Sequence, residues 1–128
     1  MLRTVFACLV AIVSLTAILA VAAWGAPGSI SLKPGTYHLD PDSGEPGDIE
    51  VADDQFDDHW EGVTHYWDEG TNGYTALHSG GGAIHKTVFH FFPAVWPFPG
   101  TYTFTILVLT PSGWDLVGVV SGTWHKTS

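Results

Sequence analysis

The most constraining feature of this sequence is an uncharged run from Val5 to Trp24, VFACLVAIVSLTAILAVAAW, which contains neither Pro nor Gly. At about 1.5 Å per residue, a helix of this length spans roughly 30 Å, which matches the hydrocarbon core of a bilayer. We therefore expect residues 1–24 to form a transmembrane helix. The alternative is a secretory signal peptide whose small-residue cleavage site ends at Ala22 or Ala23.

The charges around this run predict its orientation. Arg3 lies before the run and all thirteen acidic residues lie after it, so the positive-inside rule places the N-terminus in the cytoplasm. A short turn-rich hinge, residues 25–28, then leads to a periplasmic or extracellular domain, residues 29–128. Small residues on one face of the helix predict a helix-packing strip: Ala7, Ala11 and Ser14.

Composition limits the chemistry of the outer domain. The chain carries thirteen acidic residues against four basic ones, so we do not expect a nucleic-acid partner. The single cysteine, Cys8, belongs to the apolar run, so the outer domain contains no internal disulfide. The sequence has no nucleophile elbow, phosphate-binding loop or zincin helix. We therefore expect a protein that is not an enzyme.

The segment 40–61 holds ten of the thirteen acidic residues, and Pro and Gly interrupt its first half. This composition predicts a solvated acidic loop. Ca²⁺ prefers oxygen ligands, so calcium is the candidate cofactor for this loop. The spacing of the acidic residues does not match that of an EF-hand. A second hypothesis is a transition-metal trio formed by Asp57, Asp58 and His59, within a candidate metal-binding stretch from Asp53 to His78.

After Trp60 the sequence is typical of antiparallel strands. Strands are predicted at 63–68, 74–78, 84–92, 101–109 and 114–120, with further short strands at 29–33, 36–39 and 123–126. Asn72-Gly73 predicts a hairpin turn between two of them. In Thr101–Leu109, apolar residues alternate with Thr until both faces become apolar, so this strand is predicted to be central.

The stretch PGTYTFTILVL, Pro99–Leu109, resembles a signature near the end of immunoglobulin-like and PKD-like β-sandwich domains. The resemblance implies an all-β fold, a small Ig-like antiparallel β-sandwich behind the N-terminal helix, and says little about chemistry. Cupredoxins carry a similar stretch that continues into a copper-binding Cys and His. Because Thr105–Trp114 contains neither residue, a blue-copper site is not expected.

The segment Pro93–Gly100, PAVWPFPG, is apolar, yet its three prolines exclude it from the interior of a sheet. Such a loop either folds back over the core or is presented to something else. We predict that it contacts a partner or the membrane interface, where aromatic residues are favoured. The residues predicted to make this contact are Phe91, Phe92, Val95, Trp96 and Phe98.

Together these features favour a non-catalytic, single-span accessory subunit of a larger membrane complex, for example a respiratory or photosynthetic one. Its β domain would dock on the outer face, with the other subunits and the lipid bilayer as partners. Two alternatives stay open. One is a secreted or anchored carbohydrate-binding module that uses exposed Trp residues, and the other is a β domain that binds calcium or another metal.

Overall fold

The computed structural model describes residues 28–128, which form eight antiparallel strands in one sheet. The strands are β1 (Gly35–Pro41), β2 (Gly47–Val51), β3 (Gln55–Asp58), β4 (Val63–Asp68), β5 (Gly73–Gly80), β6 (Ala83–Phe92), β7 (Gly100–Thr110) and β8 (Gly113–Lys126). The predicted all-β antiparallel class is confirmed.

The predicted transmembrane helix and its packing strip, Ala7, Ala11 and Ser14, lie outside the described residues. Gly28 is the one residue of the predicted hinge that the structure describes. Within residues 28–128 no helix is long and apolar enough to span a membrane.

The order of strands in the sheet is β2-β1-β8-β7-β6-β5-β4-β3. From β3 to β8 each strand pairs with the next one along the chain, and β8 then returns to pair with β1. The edge strands β2 and β3 are joined by a tight turn, Ala52–Gln55, so the sheet is nearly barrel-shaped with a single seam between them. An Ig-like sandwich contains two separately hydrogen-bonded sheets, whereas these strands form one continuous series.

The acidic segment 40–61 is not one loop, because it contains β2 and β3. Ile49, Val51 and Phe56 are buried in the core, while the acidic residues between them face outward. Apolar residues at every second position bury one face of each strand and leave the charges in water. The prediction of a solvated loop is therefore wrong for these two strands.

Aromatic side chains fill one end of the rolled sheet. Phe56 packs against Tyr74 and Phe89 at ring-centroid distances of 5.2 Å, and Phe91 contacts Tyr74 at 5.8 Å. Trp124 contacts Phe91 and donates its indole N–H to the Phe92 carbonyl at 2.9 Å. This end of the sheet is therefore solidly packed, and we call it the aromatic end.

The segment before β1 crosses the aromatic end. The Ile30 amide donates to the Phe91 carbonyl at 2.8 Å, and the buried Leu32 amide donates to the Tyr74 hydroxyl at 2.7 Å. Only an isolated bridge forms at Ile30, so the strand predicted at 29–33 is wrong. Because Ile30 meets the sheet at Phe91, the first described residues lie beside the Pro93–Gly100 loop.

The predicted strands after Trp60 are confirmed, with one correction. The β4–β5 hairpin turns at Asn72, which has φ = 55°, as the Asn72-Gly73 signal predicts. The predicted break at Ser121-Gly122 is absent, because β8 continues to Lys126. Position 122 requires glycine because the Asp40 carbonyl and the Tyr102 ring leave no room for a Cβ, and not because the chain turns there.

Candidate metal centre

The interior of the rolled sheet contains a group of polar side chains on the other side of Phe56 and Phe89 from Trp124, and we call this part the open end. Asp58 is at the end of β3, where strand alternation points it to the same buried side as Phe56. Its Oδ1 accepts hydrogen bonds from the backbone N–H groups of Trp60 at 2.9 Å and Glu61 at 3.2 Å. The chain therefore turns around the carboxylate, which leaves Oδ2 buried without a hydrogen-bond partner among the described residues.

His65 approaches Asp58 from β4. The side chain is fully buried, and its ring stacks on Phe56 at 5.5 Å and contacts the edge of Phe89 at 5.0 Å. Its Nε2 is hydrogen-bonded to Thr87 Oγ1 at 2.9 Å. Nδ1 has no hydrogen-bond partner in the described part of the chain and is 3.9 Å from Asp58 Oδ2.

Glu61 and His78 complete the group at its outer edge. One carboxylate oxygen of Glu61, one of Asp58 and one ring nitrogen of His65 all lie within 4.8 Å of one another. His78, from β5, places its Nε2 3.5 Å from Glu61 Oε2. The His78 ring also stacks on His85 of β6 at 5.6 Å, so the polar group continues across three neighbouring strands.

The electrostatics of this group follow from its burial. Burial, followed by the nearby His78, lowers the pKa of His65 to about 4, so its imidazole is neutral at pH 7 and offers a lone pair. Burial raises the pKa of Asp58 despite its two backbone hydrogen bonds. Burial and the charge of Asp58 raise the pKa of Glu61. The 3.9 Å contact between Asp58 and His65 is therefore not an ion pair at neutral pH.

This arrangement has the chemistry of a metal site. A tetrahedral ion with nitrogen and oxygen ligands at about 2.0–2.1 Å keeps those ligand atoms roughly 3.3 Å apart. The observed 3.9 Å between Asp58 Oδ2 and His65 Nδ1 is slightly wider, so these two atoms need to move by only a few tenths of an ångström each, while the Glu61 oxygen lies within 4.8 Å of both. A cation would also satisfy both partnerless atoms and reduce the repulsion between the two carboxylates.

Of the predicted metal trio, only Asp58 belongs to this group. Asp57 faces outward, where its Oδ1 accepts a hydrogen bond from the Thr64 hydroxyl at 2.7 Å. His59 is exposed and stacks on Trp60 at 4.0 Å. Adjacent residues on a strand point to opposite faces, so Asp57 and Asp58 cannot direct their carboxylates to one ion. The structure therefore does not bring the three side chains together.

Sequence reasoning missed Glu61 and His65 as partners of Asp58. The sequence does contain a signal for them. Asp58 lies two residues after Phe56 and His65 two residues after Val63, so on a strand each polar residue shares the core-facing side with an apolar one. Treating 40–61 as a loop hid the alternation of β3. His85 and His90, five residues apart on β6, point to opposite faces of the strand: His85 stacks on His78, whereas His90 Nε2 is hydrogen-bonded to the Thr71 carbonyl.

The residues predicted to contact a partner separate into two groups. Phe91 is fully buried in the aromatic end and is not available for such a contact, and Phe92 is half-buried. Val95, Trp96 and Phe98 are 69%, 93% and 71% exposed. Of the two alternatives for this loop, the described structure has the loop presented to its surroundings.

No protein-family model matches this chain, and neither the curated proteins nor the solved structures with which it was compared give a match.

Proposed function

We propose that this protein is a metal-binding β domain that holds a divalent transition ion such as Zn²⁺ through Asp58, Glu61 and His65. The observation that carries the proposal is the pair of buried, partnerless atoms, Asp58 Oδ2 and His65 Nδ1, which face each other at 3.9 Å. Buried polar atoms normally have hydrogen-bond partners, so two such atoms together indicate a missing positive partner. The role of the ion is structural, since it ties the seam strand β3 to β4.

The ligand types favour a transition ion over calcium. Calcium takes six to eight oxygen ligands, whereas this group offers two carboxylates and a neutral imidazole nitrogen. The Thr87 hydroxyl fixes His65 from the other ring nitrogen, as second-shell hydrogen bonds do in metal sites. His78, beside Glu61, is the nearest candidate for a fourth ligand.

The test is thermal denaturation of the metal-free protein with added Zn²⁺, Ca²⁺ or EDTA. We expect Zn²⁺ to raise the Tm, because an ion that binds only the folded state stabilises it by about 2.7 kcal/mol at one hundred times its Kd. His65→Leu should abolish the Zn²⁺-dependent shift, and the matched control His59→Leu, at an exposed histidine, should retain it. An unchanged Tm with Zn²⁺, or equal shifts in the two variants, would refute the proposal.

The exposed loop supports a second candidate, the non-catalytic accessory subunit of a membrane complex with its β domain outside the cytoplasm. Val95, Trp96 and Phe98 present apolar surface, and Ile30 joins the sheet at Phe91 beside them. The end of the domain nearest the predicted membrane span therefore carries the exposed aromatic residues. Tryptophan is favoured both at membrane interfaces and at the centres of protein contacts.

Membrane fractionation and mild-detergent purification test this candidate. Trp96→Ser combined with Phe98→Ser should release the protein from its complex or membrane while the Tm stays unchanged, because neither side chain belongs to the core. Leu77→Ser, at an exposed apolar position on β5, is the control and should leave retention unchanged. Equal retention of the double variant and the control would exclude the loop as the contact.

The relation to immunoglobulin-like and PKD-like domains stays a prediction. What supports it is the PGTYTFTILVL stretch, which forms β7 at the centre of the sheet. A binding role does not depend on that relation, because function lies in the side chains rather than in the fold.

A further inference from the structure

A cavity of about 170 Å³ lies inside the open end of the rolled sheet, next to the Asp58 group. Its inner walls come from Phe89 of β6, Tyr102 and Phe104 of β7, and Val120 of β8. Trp60 forms part of the outer wall and is fixed by its indole N–H, which donates to the Glu45 carbonyl at 3.0 Å. Four aromatic rings therefore form much of the boundary of the cavity.

The size of the cavity matches one aromatic ring. An apolar protein cavity of about 150 Å³ is large enough to bind benzene. Aromatic walls favour an aromatic occupant, because offset and edge-to-face ring contacts add to the gain from burying apolar surface.

The rim of the cavity is acidic. Ser43, Gly44 and Glu45 of the β1–β2 loop line it, and Asp40 and Asp42 lie just before them in the chain. Burial, followed by the charges of Asp40 and Asp42, raises the pKa of Tyr102 to about 12. The negative field of the loop therefore reaches the wall of the cavity, while Tyr102 itself stays uncharged.

We propose that this cavity binds a small primary amine carrying a single aromatic ring, with the ring inside and the ammonium group at the rim beside Glu45, where the charges of Asp40 and Asp42 add to the negative field. The formal net charge of −9 favours the same sign of ligand. The cavity adjoins the proposed metal centre, because Asp58 is also one of its lining residues, so the ligand is tested in the absence of metal.

The test is an NMR titration in EDTA with benzylamine, benzyl alcohol and phenylacetate as probes. These probes share the ring and differ in charge, so we expect benzylamine to bind more tightly than benzyl alcohol and phenylacetate to bind least. Val120→Phe fills the cavity and should weaken benzylamine binding by more than tenfold. The matched control Val119→Phe, on the other face of β8, should leave binding unchanged.

The acidic rim is tested by charge removal. Asp42→Asn combined with Glu45→Gln should weaken benzylamine binding by about fivefold, the size expected for an exposed ion pair, and leave benzyl alcohol unaffected. Asp57→Asn, a carboxylate on the outer face of β3, is the control. Because EDTA is present throughout, the absence of a metal site would not alter these results.

A variant-free measurement covers the case in which Val120→Phe does not fold. Intermolecular nuclear Overhauser effects should connect the benzylamine ring protons to the Val120 methyl groups and the Phe104 ring in the unaltered protein. Binding without these contacts, equal binding of the three probes, or binding that survives in a folded Val120→Phe variant would each overturn the proposal.

Discussion

Substitution of Asp58 should separate what this residue does for folding from what it does for metal binding. Its Oδ1 holds the turn after β3 by accepting from the amides of Trp60 and Glu61, and its Oδ2 faces His65. Asp58→Ala removes the acceptor, and one unsatisfied, partly buried donor costs about 1–3 kcal/mol. Because water can reach part of this turn, we expect the loss to lie within that range rather than to double it.

Asp58→Asn should have the opposite effect on the metal-free protein. The amide oxygen can still accept both backbone hydrogen bonds, and the amide N–H₂ can donate to the free lone pair of His65 Nδ1. The substitution also removes a negative charge whose burial is unfavourable, as the raised pKa of Asp58 indicates. In EDTA at pH 7.5 the variant should therefore be at least as stable as the unaltered protein.

Urea denaturation followed by Trp fluorescence, with and without Zn²⁺, measures both effects. We expect neither variant to gain stability from Zn²⁺, while Asp57→Asn, at the neighbouring outward position, changes stability by less than about 0.5 kcal/mol and keeps the gain. If Asp58→Asn destabilises the protein as much as Asp58→Ala does, the hydrogen-bond reasoning is wrong. If either Asp58 variant keeps the full Zn²⁺ gain, Asp58 is not a ligand.

Two further predictions concern packing and pH. Gly122→Ala should destabilise the fold by about 1–3 kcal/mol, because a Cβ there meets the Asp40 carbonyl, whereas Gly118→Ala, with open space around it, should cause no loss; equal urea midpoints would contradict this. Burial lowers the folded-state pKa of His90 below 6.5, so its contribution to stability is complete above pH 6.5 and declines below that value. His90→Gln should therefore flatten the fall in stability between pH 7 and pH 5 in EDTA, and parallel curves would exclude His90 as a source of that fall.

The sequence predicted those parts of the fold in which local pattern and tertiary packing agree. Alternation in Thr101–Leu109 and the turn residues Asn72-Gly73 have direct local causes, so both features were recognisable. The prolines of Pro93–Gly100 excluded a strand, although they did not determine whether the loop was covered or presented. The segment through Ile30 and Leu32 crosses the aromatic end in place of this loop, and the loop stays exposed.

The parts that could not be predicted depend on contacts between distant segments. Charge density in 40–61 suggested a loop, because composition does not show that Ile49, Val51 and Phe56 find a common core. The Asp58 group requires β3 to pair with β4 in one register, Asp58 opposite Val63, which brings His65 to the same side. A one-residue shift would turn Phe56 and Asp58 outward together, so the site and the core share one register.

The pairing of β8 with β1 also determines when the fold can be completed during synthesis. Strands β3 to β8 are joined by hairpins and can form by local steps, but Leu39 of β1 pairs with Trp124, near the end of the described chain. Contacts so distant in sequence are slow to form, because the intervening loop must close first. Until β8 has left the ribosome, β1 can pair with β2 but not with β8. Tyr37 and Leu39 then stay exposed to any chaperone or neighbouring chain.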